Sequence, residues 1–189
     1  MKTFMKLTII IFMVGAASTV AAKYKPYTVL LDPPPSLGVL EVVSGAQGFD
    51  KVGKNKGWVG FEAGDQGTIT FRLKGSSANE TQCGGTPPAK WVITKIRLSD
   101  NGDETTQKGL NFGAKQDEWL VRAFLGVDKN TGVLYDVGKS EAWTSVAIFN
   151  RNDHPQEWGL KIAYYEVTAT NCTTDNIATT DPGVGNRGK

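Results

Sequence analysis

The sequence predicts an all-β fold, an antiparallel β-sandwich of the jelly-roll type with about nine strands in a single domain. Three observations support this prediction. Short runs that alternate apolar and polar residues recur along the chain. Glycine, proline and asparagine stand at the joints between the runs, where they favour turns. Finally, no stretch after the N-terminus shows the 3.6-residue apolar spacing of an amphipathic helix.

Nine runs with strand-type patterning follow one another along the chain. In chain order they span residues 27–31, 39–44, 58–62, 68–74, 91–98, 119–127, 133–137, 143–150 and 160–170. The run 119–127 is apolar on both faces except at Arg122, which predicts a central strand covered on both sides. In the run 160–170 the apolar register changes near Tyr164 and Tyr165, and this change indicates a β-bulge.

The run 91–98 carries the first candidate binding residue. Because alternate residues of a strand share a face, we expect Val92, Ile96 and Leu98 to point into the core together. Trp91 is out of phase with these three residues, so we expect its ring on the solvent face of the sheet. An aromatic ring in that position can stack on a sugar or anchor a protein partner.

Turn-forming residues separate the runs. Three consecutive prolines, residues 33–35, predict a stiff linker after the first strand, because proline cannot lie inside a central strand. Asn101 and Gly102 both tolerate positive φ and predict a tight turn. Residues 128–132 lie between two apolar runs and predict a hairpin loop. The stretch 173–189 is polar and rich in glycine, which predicts a mobile C-terminal tail.

The N-terminus has the features of a secretory signal peptide. Lys2 and Lys6 precede an apolar run at 7–17. This run is shorter than the roughly 20 residues of a membrane span. Small residues follow, and they predict removal of residues 1–22. A buried N-terminal helix is the alternative, but the order of charge, apolar run and small residues favours export. We therefore expect a secreted or periplasmic protein whose domain spans 23–172.

Export would also change the charge balance. The full chain has 21 lysine and arginine residues against 19 aspartate and glutamate residues, a formal net charge of +2. Two of the lysines leave with the signal peptide, so the mature chain is formally neutral. Its sequence gives no support for nucleic-acid binding, which needs a basic surface. No later stretch is apolar enough to span a membrane, and the sequence leaves the oligomeric state open.

The two cysteines, Cys83 and Cys172, both lie in the mature part. In an exported chain with an even number of cysteines, the expected state is one disulfide bond. A disulfide that closes the loop from residue 83 to residue 172 would stabilise the fold by roughly 4–5 kcal/mol at most. Two free buried thiols are the alternative, and they would require a reducing compartment.

Motifs for catalysis are sparse. His154 is the only histidine, and we expect it to be a solvated loop residue rather than a catalytic base or a zinc ligand. A glycosidase needs only a pair of carboxylates. The candidates on predicted strands are Glu41, Glu62, Glu118 and Glu166, and the first two could face a common cleft. No predicted strand carries two of them at i, i+2 or i, i+4, which argues against an enzyme.

An acidic turn is the candidate metal site. Its oxygen donors are Asp100, Asn101, Asp103 and Glu104. Calcium binds six to eight oxygen ligands, so a turn of this composition predicts a calcium site, although acidic turns also occur without metal. Asp128 and Asn130 form a second, smaller oxygen cluster. No other cofactor is predicted.

Tryptophan is frequent, with five residues in the chain. Trp91 is the first candidate for ligand contact, and Trp58 and Trp158 are candidates because each follows a polar turn. The alternative is that the rings close the open end of the core, which is the commoner role of tryptophan in a β-sandwich.

Three classes of function remain. The first is a non-catalytic binding domain that holds a glycan or a protein through exposed aromatic rings. The second is a structural or extracellular-matrix subunit that assembles through edge strands. The third is a small glycan hydrolase or lyase that depends on carboxylates. Because nucleophile motifs are missing and histidine is scarce, the sequence favours the binding domain.

Overall fold

The computed structural model describes residues 22–43, 45–48, 56–76, 80–100, 116–180 and, for the backbone alone, 183–186. Most of the predicted signal peptide lies outside these residues, and so do Asn101, Gly102, Asp103 and Glu104 of the predicted turn and calcium loop. Within the described ranges, no helix has the length and apolar character needed to cross a membrane.

Ten strands and two short helices form the described part of the chain. The strands are β1 (Tyr24–Asp32), β2 (Glu41–Val42), β3 (Val59–Phe61), β4 (Gln66–Leu73), β5 (Trp91–Ser99), β6 (Val133–Asp136), β7 (Ser145–Asn150), β8 (Lys161–Asn171), β9 (Ile177–Thr180) and β10 (Gly183–Asn186). The helices are α1 (Glu118–Ala123), which precedes β6, and a 3-10 helix (Gln156–Trp158), which precedes β8.

The strands form two sheets, which confirms the predicted all-β sandwich. The first sheet has the order β2-β1-β4-β7, and the second has the order β3-β10-β8-β5-β6, with β9 also paired to β8. Most pairs are antiparallel, but β1 lies parallel to β4 and β3 lies parallel to β10. The parallel pairs depart from the purely antiparallel arrangement that was expected.

The main core lies between the two sheets. Val29 and Phe71 enter it from the first sheet, and Ile96 and Tyr165 enter it from the second. The rings of Phe71 and Tyr165 meet edge to face across the sandwich with their centroids 4.7 Å apart. Aromatic pairs of this geometry add roughly 0.5–1.5 kcal/mol to the gain from burial alone, so this contact ties the sheets together.

The run predicted as a central strand at 119–127 is instead helical in its first part, as α1. Its buried residues Trp119, Leu120 and Ala123 follow the i, i+1, i+4 spacing of one helix face rather than an alternation. Glu118 in the first turn and Arg122 in the last turn also suit the helix dipole. The strand prediction was wrong because an apolar run this short fits either element.

The expected solvent-facing position of Trp91 is also wrong. β5 contains a bulge between Ile93 and Lys95, where its register against β8 shifts. Trp91 and Ile93 before the bulge, and Ile96 after it, therefore all pack in the main core. The side chain of Trp91 is only 3% exposed. Val92 faces the other side of the sheet, into a small cluster beside the disulfide.

The bulge predicted in β8 is absent. The register of β8 against β5 is continuous from Tyr164 to Thr168. Tyr165 and Val167 point into the main core, whereas Tyr164 is buried on the opposite face, where its ring meets Trp58 edge to face at 5.8 Å. The consecutive tyrosines therefore reflect a strand that is covered on both faces, and the shift in apolar pattern does not mark a change in register.

The C-terminal stretch predicted as a mobile tail contributes two strands. β9 pairs with the second half of β8, and β10 pairs with its first half, both in the antiparallel sense. Ala178 is 1% exposed and lies in the main core. For residues 177–180 and 183–186 the prediction of a tail was wrong, because short polar strands with small residues give almost no alternation for a sequence pattern to detect.

The predicted disulfide between Cys83 and Cys172 is confirmed, with a Cα–Cα distance of 5.3 Å. It joins the loop before β5 to the residue that follows β8. The Cys172 amide also donates a hydrogen bond to the Lys90 carbonyl. The disulfide and this hydrogen bond together fix the end of β8, the longest described strand, to the segment that precedes β5.

Candidate functional site

The ends of three strands meet at one edge of the sandwich. β1 and β4 are parallel neighbours, with Leu31 opposite Leu73, so both leave the first sheet at the same end. The Lys74 amide donates to the Leu31 carbonyl and holds the two exits together. β5 of the second sheet begins at the same place with Trp91. This arrangement brings the proline segment after β1, the turn after β4 and the start of β5 against one another.

A cavity of about 320 Å³ opens between these segments, and we refer to it as the proline cleft. Its lining residues are Asp32, Pro33, Pro34, Pro35, Lys74, Gly75, Ser76, Glu80, Lys90 and Trp91. A second cavity, of about 530 Å³, shares Asp32 and the three prolines with it and continues to Val39 and Glu41. Such volumes fall within the range of small-molecule sites.

Two cationic and two anionic side chains line the proline cleft. Lys74 Nζ lies 2.6 Å from Asp32 Oδ2, and both side chains remain substantially exposed. An ion pair exposed in this way contributes only about 0–1 kcal/mol to stability, so a ligand can compete for either partner at small cost. Glu80 and Lys90 supply a second opposite pair of charges. The cleft is therefore formally neutral, and it is rich in both hydrogen-bond donors and acceptors.

Trp91 reaches this cleft in spite of its burial. Its Nε1 atom is buried, and it has no hydrogen-bond acceptor among the residues that the structure describes. A buried donor without an acceptor costs about 1–3 kcal/mol. A ligand oxygen or a water molecule that reached Nε1 would remove that cost.

The other two candidate tryptophans lie elsewhere, so the structure does not bring the three together. Trp58 is 4% exposed and packs on Tyr164, which makes its expected exposure wrong. Trp158 is 39% exposed, with the Arg122 guanidinium carbon 5.9 Å from its ring centroid. Trp143, which the sequence analysis did not select, is more exposed still, at 46%.

His154 is buried, not solvated as expected. Its ring lies nearly parallel to that of Trp158, and Trp119 contacts it edge to face with the centroids 5.9 Å apart. Nδ1 lies 3.2 Å from the Pro155 carbonyl oxygen, and Nε2 has no partner among the described residues. The histidine thus belongs to an aromatic stack in which α1 and the 3-10 helix contact each other.

Only Asp100 of the predicted calcium ligands lies in the described part of the chain. One oxygen of its carboxylate accepts a hydrogen bond from the Asp117 amide, and burial raises its pKa. The Asp100 amide donates to Gln116 Oε1 at 3.0 Å. Within the described ranges, no three His, Cys, Asp or Glu residues are grouped as metal ligands would be.

In the second oxygen cluster, Asp128 and Asn130, the carboxylate binds backbone amides of its own loop. The Asp128 carboxylate accepts hydrogen bonds from the amides of Asn130 at 2.7 Å and Thr131 at 3.0 Å, and these bonds lower its pKa. The turn at 128–132 is therefore real, but it is not the predicted hairpin, because β6 pairs with β5 and follows a helix.

The four glutamates considered for a glycosidase are dispersed. Glu166 forms an ion pair with Arg97, with Oε1 at 2.9 Å from Nε. Glu41 lines the cavity next to the proline cleft, whereas Glu62 lines neither of these two cavities. Neither cavity therefore brings together the pair expected to face a common cleft. Glu118 is exposed in the first turn of α1.

The charged residues of the proline cleft were missed by the sequence analysis. Asp32, Glu80 and Lys90 lie outside the predicted strands and Lys74 ends one, and only the parallel pairing of β1 with β4 brings Asp32 and Lys74 together. The three prolines after β1 were the one available signal for the cleft in the sequence.

Comparison with protein-family models, curated proteins and solved structures finds no match to this chain.

Proposed function

We propose that the chain is an exported, non-catalytic binding domain whose proline cleft holds a neutral, hydroxyl-rich ligand, namely a short stretch of glycan. The observation that supports this proposal most directly is the composition of the cleft. It combines Trp91 and three prolines with two lysines and two carboxylates in one cavity of about 320 Å³.

This combination suits a sugar for a physical reason. A saccharide has apolar C–H faces and a rim of hydroxyl groups, each able to donate and to accept a hydrogen bond. Proline and tryptophan carbons cover the apolar faces, while Lys90 and Lys74 donate and Asp32 and Glu80 accept. The balanced charge favours a neutral ligand over a polyanion, which would be repelled by the carboxylates.

The rigidity of the cleft also supports a binding role. Proline fixes φ near −65°, so the segment 33–35 loses little conformational freedom when a ligand binds. The parallel pair β1 and β4 and the confirmed disulfide hold the remaining walls. The continuation of the cleft toward Val39 and Glu41 gives room for more than one sugar unit.

The test is a glycan array probed with the mature protein and with Lys90→Ala. Lys90 is exposed, so its replacement removes a donor without opening the core. Loss of a hydrogen bond to a charged group costs about 1.5–3 kcal/mol, and we therefore expect binding to weaken roughly 10- to 100-fold. Lys129→Ala, at an exposed lysine outside the cleft, is the matched control and should bind as the wild type does.

Two outcomes would contradict the proposal. One is an array on which no neutral glycan binds above background. The other is glycan binding that Lys90→Ala and Lys129→Ala leave equally unchanged. If the cleft variant instead lost capture of a protein from an extract, a protein ligand would replace the glycan.

A further inference from the structure

A separate depression of about 220 Å³ lies on the first sheet, beside the end of β4 and the start of β7. It is lined by a single charged side chain, Arg72, and by six hydroxyl groups. These belong to Thr28, Thr70, Ser76, Thr81, Thr144 and Ser145. No carboxylate lines it. We call it the hydroxyl pocket.

The strand register places the polar groups together. Thr28 on β1 lies opposite Thr70 on β4, and Arg72 lies opposite Ser145 on β7. Because Thr70 and Arg72 are two residues apart, they share one face of the first sheet, the face away from the buried Phe71. The Thr144 amide donates to the Thr81 carbonyl, and this bond brings the loop after β4 to the rim of the pocket.

Arg72 differs from several other cations of the described chain in having no carboxylate partner. Lys74, Lys95 and Arg97 each form an ion pair with a carboxylate. Arg72 forms no ion pair and no side-chain hydrogen bond with any residue that the structure describes, and neither do the hydroxyls around it. The guanidinium group and its ring of donors therefore stand ready for a ligand that accepts hydrogen bonds and carries negative charge.

We propose that the hydroxyl pocket binds an oxyanion group, the sulfate or phosphate ester of an extracellular ligand. Arginine offers a planar fork of donors that matches two oxygens of such a group, and hydroxyl groups can donate to the others. The proposal does not depend on the ligand of the proline cleft. The two sites share one residue, Ser76, so one ligand that carries both a sugar ring and an ester group would fit across them.

The first experiment is a titration of the 15N-labelled mature protein with sodium sulfate and with sodium phosphate, followed by NMR. Sodium chloride at the same ionic strength is the reference. We expect saturable shifts of the amides of Thr70, Arg72 and Ser145 with the oxyanions and not with chloride. Shifts that never saturate, or that chloride reproduces, would overturn the proposal.

Two matched pairs of variants locate the site. Arg72→Gln should weaken sulfate binding at least about tenfold, the loss expected for a charged hydrogen bond, whereas Arg122→Gln at an exposed arginine outside the pocket should not. Thr70→Val keeps the side-chain shape but removes the hydroxyl, and should weaken binding about two- to tenfold. Thr68→Val, at the next outward position on β4, should leave binding unchanged.

The last arm separates the sources of the oxyanion. A sulfated and a phosphorylated monosaccharide are titrated into the wild type and into Arg72→Gln. Tighter binding of one ester than of its free anion, lost in Arg72→Gln, would identify the ligand class. If each ester bound Arg72→Gln as tightly as it binds the wild type, the proposal would be contradicted, whatever the result of the glycan array.

Discussion

At the scale of single residues, Tyr165 is a large, fully buried side chain whose polar group has a partner. Its ring is fully buried between the sheets, and its hydroxyl donates a hydrogen bond to the Gly57 carbonyl. Burial disfavours the phenolate form and raises the pKa of Tyr165 well above its usual value near 10. The phenol proton is therefore held more tightly in the folded chain than in the unfolded chain.

This burial predicts a loss of stability at high pH. When the folded-state pKa lies above the unfolded-state pKa, the stabilisation is complete below pH of about 10 and falls as the pH rises beyond it, because the unfolded chain ionises first. Tyr165→Phe should reduce the steepness of that fall. At pH 7 the variant should lose about 1 kcal/mol of unfolding free energy with the hydrogen bond.

The measurement is urea unfolding at a series of pH values from 7 to about 11. Tyr24→Phe is the control, since Tyr24 is exposed and its hydroxyl lies beside Thr68 on the surface. The control should follow the wild-type pH dependence. An identical decline in wild type and Tyr165→Phe would show that the buried phenol does not govern alkaline unfolding.

At the scale of single elements, β8 organises the second sheet. It pairs with β5 along one side, and with β10 and then β9 along the other. The pattern of β8 was predicted correctly in extent, because an eleven-residue strand gives many alternating positions. Its partners β9 and β10 are each four residues long and offer too few alternating positions to be recognised, so they were predicted to be part of a tail.

Neighbouring residues of β9 provide a direct test of that strand. Ala178 is 1% exposed in the main core, whereas Ile177 is 57% exposed. Ala178→Glu would bury an unpaired carboxylate, so we expect a loss of more than about 3 kcal/mol in unfolding free energy. Ile177→Glu should change it by no more than about 0.5 kcal/mol.

Chemical denaturation of the two purified variants measures both values. In a mobile tail the two substitutions would be equally harmless, so equal stabilities would contradict the paired strand. Should Ala178→Glu fail to fold, Ala178→Ser offers a milder change, and its stability should still fall below that of Ile177→Ser.

The short apolar run at α1 shows a different limit of sequence analysis. Trp119, Leu120 and Ala123 fit one face of a helix, but over so few residues the same run also fits a buried strand. The bulge in β5 is a second case, because a single extra residue after Ile93 reverses which face Trp91 occupies. Both errors concern local geometry, and neither altered the fold class, which depends on the many shorter runs together.

At the scale of the whole molecule, the two proposed sites depend on contacts that no local pattern encodes. The proline cleft requires Asp32 and Lys74 to meet, and they are brought together by the parallel pairing of β1 with β4. The hydroxyl pocket likewise combines residues from β1, β4, β7 and the loop that precedes β5. Trp91 was predicted to be exposed, but it is a buried residue at the lining of the cleft.

The position of β1 also bears on how the chain is processed. Cleavage after Ala22 would leave the first sheet complete, since β1 begins at Tyr24 and the Lys23 carbonyl accepts a hydrogen bond from the Gln66 amide. Cleavage even one residue later would remove this acceptor from the start of the β1–β4 pair. We therefore expect exported protein to begin at Lys23, and intact-mass analysis of material recovered outside the cytoplasm measures this directly. Recovery of that material with Met1 retained would contradict the signal peptide, and a start beyond Lys23 would contradict the role of its carbonyl in anchoring β1.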